Sequence, residues 1–205
     1  MSNSHILASM PWAKTEAVSF NHELNHYAII DSLLVPTIKE WAYQDQTLHE
    51  VEIQPLFKGT LFNDNAEQGP FFMNLQTEGM LIAQLKATLI STPAGCLISS
   101  QANFEDLYQH CQSKLIVSSG EDANQALLRF YDPRNLAVFL GALSESDRIL
   151  WMGHLEEIQW FHHGWHSLKK VPSDDVVDYH LTLTQTLKET MRNIQIALQD
   201  ARFQG

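Results

Sequence analysis

Histidines are the residues best placed for chemistry in this chain, and five of them (His154, His162, His163, His166 and His180) fall between positions 154 and 180. A zinc or manganese centre needs three or four donors converging on one point. His162 and His166 are four apart, as on one helical face, and Asp174 and Asp178 lie in the same stretch. Together they define one candidate reading, a metal-dependent hydrolase. The local sequence argues otherwise. IQWFHHGWHSL (158–168) places a glycine among aromatics and suits a hairpin turning near His163-Gly164, in which His162 and His166 share a face only loosely. Cys96 and Cys111 sit in apolar contexts far from any paired-ligand spacing and read as buried thiols in a reducing compartment. The expectation is a histidine cluster with no metal and no cofactor.

LLRFYDPRNLAVFL (127–140) is the best-defined segment. Asp132 is a conceivable acid or base, yet the motif offers it no histidine, serine or second carboxylate to work with. Backbone chemistry explains the same residues. A β-rich run ends at Tyr131, and Asp132 then stands where its carboxylate can accept the unpaired N–H groups of a helix start. Pro133 falls at the first helical position, where its fixed φ fits and its missing N–H costs nothing. Leu136, Phe139, Leu140 and Leu143 follow as a face to dock on a sheet. Arg129 and Arg134 flank the cap, in position to share the Asp132 carboxylate. The chain has no G-x-x-x-x-G-K, G-x-G-x-x-G, G-x-S-x-G or H-E-x-x-H motif. No catalytic residue is expected.

Trp151, Trp160, Phe161 and Trp165 form the third concentration. Aromatics are enriched at protein interfaces because they bury much area at low entropic cost, and they are equally ordinary in cores. Both readings stay open, and the four are candidate partner contacts.

The elements that must position these residues alternate in kind. Strand-like runs are HYAII (26–30), VEIQPLF (51–57), FFMNL (71–75), CLISS (96–100) and ALLRFY (126–131). Helical patterns lie between them, from Leu33 to Trp41, over 78–89, over 103–115 with Asn103 as N-cap, and over 133–143. The stretch 171–180 reads as a linker, and a long helix carrying Leu183, Leu187, Met191, Ile194 and Leu198 runs to about residue 203. The alternation predicts an α/β fold, a mixed and largely parallel sheet flanked by helices, with a small, mostly helical C-terminal lobe. Residues 1–150 are expected to form the α/β domain and 151–205 an aromatic, histidine-rich segment ending in a helix.

The net charge of −11 excludes most nucleic-acid roles, because an acidic surface repels phosphates and only Lys169-Lys170 looks basic. The N-terminal sequence lacks the basic start and apolar run of a signal peptide, and no stretch approaches a membrane span. A cytoplasmic protein without membrane insertion is expected.

LRFYDPR resembles the signature of the type VI secretion effector-adaptor family, the Tap or Tec chaperones. HYAIIDSLLVP, GPFFMNL and PAGCLISS precede it in the family's order, so the resemblance covers roughly residues 25–145. It implies a non-enzymatic bacterial adaptor that binds a secreted effector in the producing cell and helps load it onto the VgrG spike. It also implies that the matching residues Arg129, Asp132, Pro133 and Arg134 define the fold at a strand–helix corner. Besides the hydrolase, a protein-binding domain of another pathway is the remaining alternative.

Overall fold

A computed structural model describes residues 3–45, 51–120, 124–172 and 179–203. In chain order the elements are α1 (Asn3–Ala8), β1 (Ala13–Thr15), β2 (Asn25–Asp31), α2 (Ile38–Asp45), β3 (Ile53–Pro55), β4 (Pro70–Leu75), α3 (Met80–Ser91), β5 (Gly95–Ser100), α4 (Phe104–Ser113), β6 (Ile116–Ser119), β7 (Asn124–Leu127), α5 (Pro133–Ala142), α6 (Glu145–Met152), β8 (Glu157–Phe161), β9 (Trp165–Lys169), β10 (Thr182–Leu183) and α7 (Gln185–Phe203).

Seven strands form one sheet in the order β1-β9-β8-β5-β2-β4-β3, and every neighbouring pair is antiparallel. This corrects the largely parallel sheet expected from the sequence. Alternating strands and helices supply connections long enough for parallel pairing but do not fix which strands become neighbours. Here the α3 crossover does join two strands running the same way, β4 and β5. β2 inserts between them and runs opposite to both. Among the described residues the one parallel pair is β10 with β6, in a small second sheet ordered β10-β6-β7.

The expected small helical C-terminal lobe is corrected too. β8 and β9 form a hairpin inside the main sheet, between β5 and β1. Among the described residues after β9 only α7 is helical, and it packs on α1 and α5. Two boundaries also shift. The turn at 32–37 precedes α2, which starts at Ile38 instead of Leu33, and the strand read through Tyr131 ends at Leu127.

Period-two alternation gives the sheet two apolar faces. Tyr27, Ile29, Phe72, Ile98, Ile158 and Trp160 point to the side covered by α4, α5 and α6. Ala28, Ile30, Phe71, Met73 and Leu97 point to the side covered by α2 and α3. Gly95 allows β5 to approach β2 closely, since a Cβ there would stand 2.0 Å from the carbonyl oxygen of Ile29. Among the described residues no helix is long and apolar enough to cross a membrane.

Candidate functional site

The LRFYDPR segment forms a corner at the Asp31 end of β2. Asp132 takes the N-cap position of α5, with extended backbone, and its Oδ1 accepts the Arg134 N–H at 3.0 Å. Pro133 occupies the first turn and is buried. Arg134 folds back on its own cap. Its Nε donates to Oδ1 at 2.9 Å and its Nη2 to Oδ2 at 2.7 Å, a two-point pair that raises Arg134 above its ordinary range.

Arg129 turns away from this carboxylate, a correction to the expected sharing. It donates through Nη2 to Oδ2 of Asp31 at 2.6 Å, across 98 positions of sequence. The same Asp31 accepts the Leu33 N–H on Oδ1 at 3.0 Å, while its own N–H donates to Ala94 O at 2.7 Å. HYAIID, PAG and LRFYDPR therefore meet at one place.

The corner has a consistent polarity. Both carboxylates are buried, at 6% and 4% side-chain exposure, whereas the arginines they hold are exposed by 42% (Arg129) and 52% (Arg134). Tyr131 lies beneath the Arg129 guanidinium, 5.7 Å from ring centroid to Cζ, and burial pushes its hydroxyl up to about 12. The two carboxylates accept only from arginine side chains and from backbone N–H groups, and among the described residues no serine or histidine side chain hydrogen-bonds to either. What the corner offers is a pair of fixed guanidiniums with N–H donors to spare, beside the exposed side chains of Leu33, Leu34 and Ile90.

The tryptophans are interior. Trp151 is fully enclosed against Phe130 and Phe139, with ring centroids 5.5 and 5.0 Å away. Trp160 is equally buried, with Trp12 edge-on at 5.8 Å, and Trp165 is buried against Phe161. Their burial assigns them to the core. Of the four candidate contacts only Phe161 is half-exposed, lining a cavity with Arg134.

The histidines scatter. His162 and His163 stand at the tip of the β8–β9 hairpin, with His163 in the left-handed region (φ 57°) and Gly164 at φ 138°. His166 stacks on Trp160 in β9, and burial lowers it from its ordinary range. His154 meets the ring of His110 instead, at 5.2 Å, and His180 bonds to Ser118 at 2.9 Å. His110, absent from the sequence reading, is pushed down to about 3 by burial, then by Lys114 and His154. Among the described residues no three His, Cys, Asp or Glu side chains are grouped to hold a metal ion. Asp174 and Asp178, and most of the linker read at 171–180, lie outside the described residues. Cys96 and Cys111 are free and buried.

Sequence reasoning missed Asp31 as the partner of Arg129. Its one local signal was an acid ending an apolar strand, and the pairing itself is long-range.

A profile of the family described as a domain of unknown function, DUF4123, matches residues 26–149, more than half of the chain. The chain belongs to that family. The matched span contains Asp31, Arg129, Asp132 and Arg134, all four charged residues of the corner. No curated protein and no solved structure matches the chain.

Proposed function

We propose that this protein is an adaptor of bacterial type VI secretion, which holds a cognate effector and assists its loading onto the VgrG spike. The family match carries the reading: DUF4123 is associated with type VI secretion effectors, and its span takes in the whole arginine–carboxylate corner. The chemistry agrees with gripping. The corner's two carboxylates are consumed in ion pairs, and its exposed surface presents guanidiniums beside apolar side chains, a mixture suited to binding another polypeptide.

The test is capture and delivery. The tagged chain is co-expressed with the effector encoded beside it and with the spike protein, and complexes are isolated. A complex is expected, and deletion of the gene is expected to abolish delivery of that effector while the spike still assembles. Failure to capture either protein, with delivery unchanged in the deletion strain, refutes the reading.

A further inference from the structure

On a protein of net charge −11, the β8–β9 hairpin tip is an exception. Two cavities, of ≈ 670 and ≈ 300 Å³, lie against it, and His162 and His163 line both. The larger adds Lys14 and His166 over an apolar floor that includes Trp12 and Leu198. The smaller adds Arg134, Phe161 and the end of α3 at Ile90. Among the described residues lining either cavity there is no carboxylate. Lys14 is exposed, and no described acid pairs with it.

The placement follows from the register. β1 pairs with β9 so that Lys14 stands opposite His166, and the chain reverses over 162–164. The Lys14 side chain runs along Gly164, where a Cβ would come within 2.9 Å of its Cε. α7 closes the larger cavity from the other side with Leu198 and Ala201.

The geometry points to a docking cleft for an acidic, partly apolar polypeptide segment of the carried protein. Charge complementarity selects the occupant: Lys14 offers an ammonium that no described acid neutralises, imidazole N–H groups and the Arg134 guanidinium stand beside it, and no carboxylate is among the described lining residues. The aromatic and aliphatic floor favours a polypeptide with apolar side chains over a bare polyanion. This deepens the adaptor reading and rests on it for the nature of the partner.

The probe is a fluorescein-labelled amphipathic peptide with Glu on one face and Leu on the other, measured by anisotropy against the full chain. Its glutamine counterpart and a single-stranded oligonucleotide serve as comparators. Saturable binding that weakens with salt is expected, and the counterpart should bind more weakly. Lys14→Glu is expected to weaken binding by about tenfold, as is loss of the imidazole in His163→Asn, where asparagine tolerates the left-handed backbone. Lys188→Glu, on α7 and bonded to Ser119 away from both cavities, should leave binding unchanged. Deuterium exchange should slow at residues 12–14 and 161–166 on binding. No peptide binding, equal binding by the glutamine peptide, equal weakening by Lys14→Glu and Lys188→Glu, or preference for the oligonucleotide overturns the proposal. The two readings separate cleanly. Capture of the effector undiminished by Lys14→Glu removes the cleft and leaves the adaptor, whereas a wild-type chain that binds the acidic peptide but captures neither effector nor spike does the reverse.

Discussion

Replacing Asp132 by alanine removes two interactions whose sizes differ, and the structure says how to tell them apart. The cap bond to the Arg134 N–H contributes about 1 kcal/mol in comparable helices. The two-point pair with the Arg134 side chain is close, but that side chain is 52% exposed, so solvent screening holds its contribution to about 0–1 kcal/mol. Freed, the guanidinium returns to water, leaving no unpaired buried charge. The sum is about 1.5 kcal/mol, which for a chain of this size is a fall in Tm of roughly 3–6 °C. Asp132→Asn keeps a good cap and loses only the charge, so it should cost about 0.5 kcal/mol. Thermal and urea unfolding of Asp132→Ala, Asp132→Asn, Arg134→Ala and the Asp132→Asn/Arg134→Ala pair measure both parts. An unchanged melting temperature in Asp132→Ala refutes the capping account. Equal losses for Ala and Asn would show that the charge, and not the cap, stabilises the corner.

Two further outcomes follow from buried groups. The unfolded chain protonates His110 as pH falls through 6.5, whereas the folded chain refuses that proton until about pH 3. Stability present at neutral pH is therefore lost on acidification, by up to about 1.4 kcal/mol per pH unit below 6.5. Between pH 7 and 5.5, His110→Asn should melt with a flatter pH dependence than the parent, and parallel curves would contradict the burial argument. Gly95→Ala pushes a Cβ into the Ile29 carbonyl in the middle of the sheet and should cost more than about 3 kcal/mol or abolish folding. Gly120→Ala, with open space around it at φ 81°, should cost about 1 kcal/mol. Circular dichroism of the two variants checks this, and a Gly95→Ala protein melting with its parent would refute the close approach.

The local chemistry of the fold was legible where one short segment decides it. Asn103 receives the Asp106 N–H at 2.9 Å, Asp132 caps α5, and the hairpin turns at His163-Gly164, because capping and turn preferences act within a few residues. α6 was missed although Ser144, three residues before Asp147, carries a cap signal and does accept the Asp147 N–H. Sheet direction was not legible, since β2 enters between β4 and β5 through pairings distant in sequence, which no periodicity encodes. The corner was half legible for the same reason. Arg134 meets its acid two residues away, and Arg129 meets its acid 98 residues away. The tryptophans show the limit of composition: Trp151 and Trp160 have interface chemistry but core positions.

The polarity of the corner bears on what such a site can do. A long side chain gives up rotamer freedom when it binds, and that cost is reduced if it is already held. Asp132 fixes Arg134 by two bonds, and Asp31, itself tied to the turn through the Leu33 N–H, fixes Arg129. Both acids are inaccessible while both bases are exposed, so a partner would meet the cations and not their counter-charges. Had the burial been reversed, with exposed carboxylates on buried arginines, the corner would present acids on an already acidic protein. On the adaptor reading, the buried acids thus have two roles in one geometry: they join the family's separated segments into a fold, and they hold outward the guanidiniums that a carried polypeptide can grip.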